Sequence, residues 1–285
     1  MTDAFTPDPC ADYDEISKTA NIIDVPTSIG NVRFHQWGGG EKTLVCLHGG
    51  YGTWAHWIKV APSLATLGNI LVPDMPGFGA SVTPPEPHTA QGVAGPLREA
   101  IETLAETGPI VVTGFSFGGV IAGHLASLLN RRLARLVLVA PGGLGAQRAP
   151  MAELVKRHKH MSRDQVVMAH QKNLEILMVK DPSCIDPLAL YIQETNTLQH
   201  RLKSRPISAT STLRDVLSKV QAPVLGIFAE HDAVVGEYLQ ERKDILSEVC
   251  ESVDFVVVPE AGHWVMWEKP QAMIGILRSV LEDLD

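Results

Sequence analysis

Eight short apolar runs punctuate the chain: NIIDV (21–25), NVRFHQW (31–37), TLVCLHG (43–49), NILVPD (69–74), PIVVTG (109–114), RLVLVAP (135–141), PVLGIFAE (223–230) and DFVVVPEAG (254–262). Their length and their β-branched residues predict strands. The first two read as an antiparallel ribbon. The later ones are continuously apolar, the pattern of parallel strands covered on both faces. Helical patterns lie between them, over 92–106, 120–130 and 271–284. Alternation of this kind predicts an α/β architecture with a mostly parallel, twisted sheet of about eight strands flanked by helices, and ligands at the carboxyl ends of the strands.

One interval breaks the rhythm. Between Pro141 and Pro223 no run reads as a strand, and the interval is too long for one crossover. It opens with Gly142-Gly143-Leu144-Gly145 and then reads as several helices. The expectation is a core domain made of residues 1–145 and 208–285, with a helical cap, or lid, over 146–207 inserted after strand six. That insertion carries ten Lys or Arg against six Asp or Glu, a balance of +4 that leaves −12 for the remainder. Either the cations form a solvated helical surface, or one or two arginines face the cleft and hold an anionic group.

Composition narrows the setting. Of 285 residues 45% are hydrophobic and 20% charged, ordinary for a soluble globular protein. A net charge of −8 disfavours nucleic acid as a partner. No window approaches the run of about 20 apolar residues that a membrane helix needs. The opening MTDAFTPDPCADYDE is acidic and polar, unlike a secretory signal, so a cytoplasmic location is expected. Cys10, Cys46, Cys184 and Cys250 are widely spaced, which argues against zinc and against a disulfide framework. Oligomeric state is left open, a homodimer included.

Chemistry concentrates at Gly114-Phe115-Ser116-Phe117-Gly118, between the strand PIVVT and the helical segment beginning Gly119-Val120. A serine in a strand-to-helix turn can expose its hydroxyl above the sheet edge, provided small residues let the helix pack closely. Such a nucleophile needs a base and the base an orienting carboxylate, in the order Ser, Asp or Glu, His. Asp232 follows the strand PVLGIFAE and His263 follows VVVPEAG, so both order and placement fit. Glu230 is the rival acid, at the end of its strand; His231 reads as a bystander. Leu47-His48-Gly49-Gly50 follows the strand TLVC, and the N–H groups of Gly50 and Phe117 are the candidate oxyanion hole. His48 is expected to brace that loop. Trp54, His56, Trp57, Phe115, Phe117 and Trp264 are either an aromatic pocket wall or ordinary core packing.

The set HGG, DMPGFGAS (74–81), GFSFGG and GHW, in this order, resembles the α/β-hydrolase superfamily across nearly the whole chain. The resemblance implies the α/β-hydrolase fold, and it makes Asp74 structural rather than catalytic. Pro141-Gly142-Gly143-Leu144-Gly145 and His263-Trp264, with Trp267-Glu268 behind, are similar to the meta-cleavage-product hydrolases, which split a carbon–carbon bond in dienoate acids. That likeness implies substrate-binding roles for Gly49, Phe115, Trp264 and a lid arginine, Arg201 or Arg205, for a carboxylate. The chain departs from this group at Phe115, where asparagine is usual, and at Gly50-Tyr51-Gly52-Thr53, where a Ser-Gly-Pro-Gly type loop is usual. HGG is also similar to proline iminopeptidases, without the Pro-Gly that follows there.

The expected activity is that of a serine hydrolase needing no cofactor and no metal. Its substrate would be a small to medium ester or related carbonyl compound, in one version carrying a carboxylate. Carbon–carbon hydrolysis of a dienoate or diketone is the alternative within enzymes. A ligand receptor that keeps the scaffold is the alternative outside them.

Overall fold

The computed structural model describes residues 7, 8 and 10–284; residues 1–6 and 9 of the acidic opening segment lie outside them, as does residue 285. All eight apolar runs lie on strands: β1 Asn21–Thr27, β2 Gly30–Gly38, β3 Thr43–Leu47, β4 Asn69–Pro73, β5 Ile110–Phe115, β6 Leu133–Val139, β7 Val224–Ala229 and β8 Val253–Val258. They form one sheet in the order β1-β2-β4-β3-β5-β6-β7-β8. β2 pairs antiparallel with β1 and with β4, and the other pairings are parallel. This is the α/β-hydrolase fold.

Among the described residues ten α-helices accompany the sheet: α1 Ala11–Lys18, α2 Ala90–Leu104, α3 Phe117–Leu129, α4 Arg163–Leu177, α5 Pro187–Gln199, α6 Arg205–Ser208, α7 Thr212–Leu217, α8 Leu239–Val249, α9 Val265–Glu268 and α10 Pro270–Glu282. Among the described residues no helix is long and apolar enough to cross a membrane.

The strands are apolar on both faces because both faces are covered. Along β3, Val45 and Leu47 enter one core with the apolar sides of α2 and α3, while Leu44 and Cys46 enter a second core with Trp57, Leu277 and Leu281. Side chains alternate across a strand with period two, so a run feeding two cores has no polar positions to spare. Each of these fully buried aliphatic side chains contributes about 1.5–3 kcal/mol by leaving water. β8, at the sheet edge, is only partly buried and keeps the polar Asp254 exposed.

β3 lies between β4 and β5, where the strand order reverses. Loops diverge at such a point and leave a crevice beyond the carboxyl ends of the strands. The loop after β3 and the turn after β5 both open there.

Between β6 and β7 the chain leaves the sheet for α4 to α7. The several helices expected in this interval begin only at α4, and residues 146–158 contain no helix. Their backbone is committed elsewhere. The Gln147 N–H donates to the Glu241 carboxylate at 3.1 Å, and the Ala149 N–H to the Val234 carbonyl at 3.1 Å. Helix resumes at α4 behind a reciprocal cap, in which Ser162 and Gln165 each take the other's backbone N–H.

Candidate active site

Ser116 sits between β5 and α3 with φ +53° and ψ −109°. A non-glycine residue there costs of order 1–3 kcal/mol, so the surroundings must enforce it. They do so from both sides. The Ser116 N–H donates to the Val139 carbonyl at 2.9 Å, and its carbonyl accepts from the Gly119 and Gly142 N–H groups, each at 3.1 Å. A Cβ on Gly118 would overlap the Leu47 and His48 carbonyls, and one on Gly114 the Gly118 carbonyl. Glycine at both positions lets α3 press against β3 and β5 and leaves the serine as the raised point of the turn.

His263 and Asp232 reach this serine from the ends of β8 and β7. His263 Nε2 lies 3.0 Å from Ser116 Oγ, and His263 Nδ1 lies 2.7 Å from Asp232 Oδ2. The opposite oxygen, Oδ1, accepts the Val234 and Val235 N–H groups at 2.8 and 3.2 Å. Burial alone would raise the Asp232 pKa; the His263 ring and the two amides outweigh it and hold the carboxyl below its ordinary value. An ionised Asp232 accepts the Nδ1 proton, which leaves Nε2 free to accept the Ser116 hydroxyl proton. Glu230 belongs to a different network, its exposed carboxylate accepting the Glu260 N–H at 2.9 Å.

The glycine loop after β3 is pinned by two imidazoles. The Gly49 N–H donates to His56 Nδ1 at 3.1 Å, and His48 Nδ1 donates to the Gly49 carbonyl at 2.8 Å. His48 Nε2 in turn accepts the Met75 N–H at 3.0 Å. Burial drives both rings to the neutral form, His48 down to about 4 and His56 well below its ordinary value. Asp74 accepts from the Trp54 and Ala80 N–H groups at 3.1 and 2.9 Å, closing the turn that DMPGFGAS encodes.

A cavity of about 710 Å³ opens over Ser116 and His263. Gly49, Gly50, Phe115, Phe117 and Arg205 are all in its wall. The Phe115 ring lies 4.9 Å from that of His263. Phe117 opens α3, where the first amides have no acceptor within the helix.

Two expected wall residues are elsewhere. Arg201 faces the 78–81 turn, donating to the carbonyls of Phe78, Gly79 and Ser81 and to the Thr83 hydroxyl. Its five N–H donors match that ring of carbonyls better than an open cleft. Trp264 is buried, stacked on Trp267 at 4.6 Å and donating to the His56 carbonyl at 3.1 Å. Trp54 and Trp57 are likewise core.

The wall also includes Tyr51, Arg148, Ser204 and Arg242. Arg148 was visible in the sequence only as one more cation of the insertion, and Arg242 sits in a segment with no apolar signal. Arg148 donates to the Ser208 carbonyl at 2.8 Å, and Arg242 to the Tyr238 and Gln147 carbonyls at 3.0 and 2.7 Å. Among the described residues neither these two nor Arg205 forms an ion pair, whereas Arg33, Arg98, Arg163 and Arg214 all do. Burial and the nearby Arg205 charge lower the Arg148 pKa, as expected of two cations facing one space.

The sequence model of the alpha/beta hydrolase family matches residues 44–276. Over 270 residues the chain is 27% identical to the dihydrolipoyllysine-residue acetyltransferase component of the acetoin cleaving system of Pseudomonas putida, covering 87% of this chain and 66% of that protein. It is 26% identical to the pimeloyl-(acyl-carrier protein) methyl ester esterase of Vibrio cholerae over 216 residues, 71% of this chain and 80% of that one. The solved meta-cleavage product hydrolase of Pseudomonas fluorescens IP01 superposes with a TM-score of 0.73 at 18% identity, covering 94% of this chain and 100% of that one.

Proposed function

The chain belongs to the alpha/beta hydrolase family, and from that premise we propose that it is a serine hydrolase of small to medium esters. In this reading Ser116 is the nucleophile, His263 the general base and acid, and Asp232 the group that fixes the imidazole. Residues 146–207 act as a cap over the core formed by 1–145 and 208–285. The observation that carries the proposal is the unbroken hydrogen-bonded line from Asp232 through His263 to Ser116, ending in the cavity.

The reaction follows from that line. Ser116 Oγ attacks the ester carbonyl while its proton passes to His263 Nε2. Negative charge on the former carbonyl oxygen is met by the Gly50 and Phe117 N–H groups, each such donor being worth on the order of 10²–10³ in rate. The imidazolium, stabilised by Asp232, protonates the departing alcohol. Water, deprotonated by His263, then attacks the acyl carbonyl, and His263 returns the proton to Ser116 Oγ as the acid leaves, so water is the only co-substrate.

Arg205 and Arg148, neither of them in an ion pair among the described residues, give the cavity wall positive charge suited to a substrate that carries a carboxylate away from the scissile bond. Carbon–carbon cleavage of a dienoate is supported less, because the wall offers the apolar Phe115 ring beside His263. A non-catalytic receptor would have no use for the base and its acid.

Ser116→Ala should lower hydrolysis of p-nitrophenyl butyrate at least about 10³-fold, the scale on which nucleophile removal acts, with an unchanged melting temperature. It should also abolish labelling by a fluorophosphonate. Turnover close to wild type would overturn the assignment.

A further inference from the structure

Ser204 directly precedes α6, where a serine ordinarily turns its hydroxyl back onto the first free amides of the helix. Here it makes no such cap, and the residue has helical φ −73° and ψ −31°. The hydroxyl faces the glycine loop after β3. A Cβ placed on Gly50 would collide with Ser204 Oγ and would lie 3.1 Å from Ser204 Cβ and 3.7 Å from Phe117 Cβ. Ser204 therefore stands beside Gly50, one of the two residues whose amides receive the oxyanion in the proposed mechanism, and Phe117, the other, is packed against the same glycine. It is 5% exposed and shares the cavity wall with Ser116 and His263. Among the described residues its hydroxyl has no hydrogen-bond partner within the protein, and Ser204 lines the cavity.

We propose that the Ser204 hydroxyl is a third donor to the oxyanion, delivered by the insertion rather than by the core. This rests on the reading of Ser116 as the nucleophile. The proton stays on Ser204 throughout. It makes a hydrogen bond that strengthens as the carbonyl oxygen gains charge and weakens when the carbonyl re-forms, so its benefit falls on the transition state.

The approach to Ser204 is held firmly enough for such a role. The Arg201 N–H donates to the Gly77 carbonyl at 2.8 Å, and its guanidinium is fixed on the carbonyls of the 78–81 turn. Leu202 is fully buried and packs on Gly77, which has φ +94° and no room for a side chain. Arg201 is thus a positioning residue that holds the segment carrying Ser204 onto the core.

The test uses p-nitrophenyl butyrate as substrate and a trifluoromethyl ketone as an inhibitor that forms a charged adduct with serine. Ser204→Ala should lower kcat about 10- to 100-fold, approaching what one oxyanion donor is worth, with KM within twofold. Inhibition by the ketone should weaken by the same factor. Ser204→Cys keeps the volume with a poorer donor and should fall close to the alanine variant. Wild-type kcat in either variant overturns the proposal, and so does a loss of kcat with undiminished ketone affinity, which marks a merely structural role. An active Ser116→Ala variant would instead overturn the underlying reading of the nucleophile.

Discussion

Two neutral imidazoles hold the loop that carries Gly49 and Gly50, and this makes the loop sensitive to acid. His48 is pushed down to about 4, His170 in α4 to about 4 and His35 in β2 to about 3, each chiefly by burial. A histidine whose folded pKa lies below its unfolded value of about 6.5 gains a proton on unfolding. Its stabilisation is complete above about pH 6.5 and is lost as pH falls toward the folded value. The melting temperature should therefore drop steadily between about pH 6.5 and 4, before carboxylates such as Asp232 begin to protonate. A melting temperature that is flat from pH 7 to 5 would contradict this. At the same scale, Ser116, Asp232 and His263 were legible because their order and their positions just after strands are constrained by the sheet. Arg201 and Trp264 were not, since residue type alone does not say which way a guanidinium or an indole turns. Ser204 carried no signal: a serine before a short helix looks the same whether its hydroxyl caps the helix or leaves it.

At the scale of elements, α3 lies very close to β3. Gly118 fits under the Leu47 and His48 carbonyls only because it has no Cβ. Gly118→Ala should force α3 away from the sheet and cost about 1–3 kcal/mol, as overpacking usually does. For a chain of this size that lowers the melting temperature by on the order of 5 °C. It should also lower kcat, because Ser116 is attached to the same turn. A melting temperature within 1 °C of wild type would argue that α3 has room to spare. Strands were the most legible elements, because a strand serving two cores must be continuously apolar. α1 and α8 escaped notice: α1 buries no residue at all, and α8 buries only Arg242 and Leu246. Within the interval that reads as several helices, contacts from α8 and from the loop after β7 hold the backbone near Gln147 and Ala149.

Across the whole molecule, charge is divided unevenly, +4 in residues 146–207 against −12 in the rest. Arg148 and Arg205 bring that positive charge to the cavity, and Arg242 adds a further cation from outside the insertion. A charged wall in a recess raises the local concentration of oppositely charged substrate, and salt screens the effect over about 8–10 Å. Replacing Arg148 and Arg205 together by Gln should raise KM for a half-ester of a dicarboxylic acid roughly tenfold or more, as loss of charge-assisted hydrogen bonds implies. KM for the neutral ester of matching length should stay within twofold, and added salt should weaken only the half-ester's kcat/KM. Equal effects on both esters would remove the case for an anionic substrate. The overall architecture was legible from the alternation of runs, whereas the shape of the roof over the site depends on long-range contacts that no local pattern announces.

The contact between Gly50 and Ser204 bears on how such a scaffold can be recombined. Insertions between the sixth and seventh strands are often pictured as interchangeable modules, swapped to change which substrate enters while the chemistry underneath stays constant. In the proposed mechanism the last residues of the insertion reach the reacting oxygen. A chimera that grafts a foreign insertion onto this core would then have to bring a donor to the same point, along with a brace like Arg201 to hold it. Without both, it would inherit a new specificity together with a slower engine.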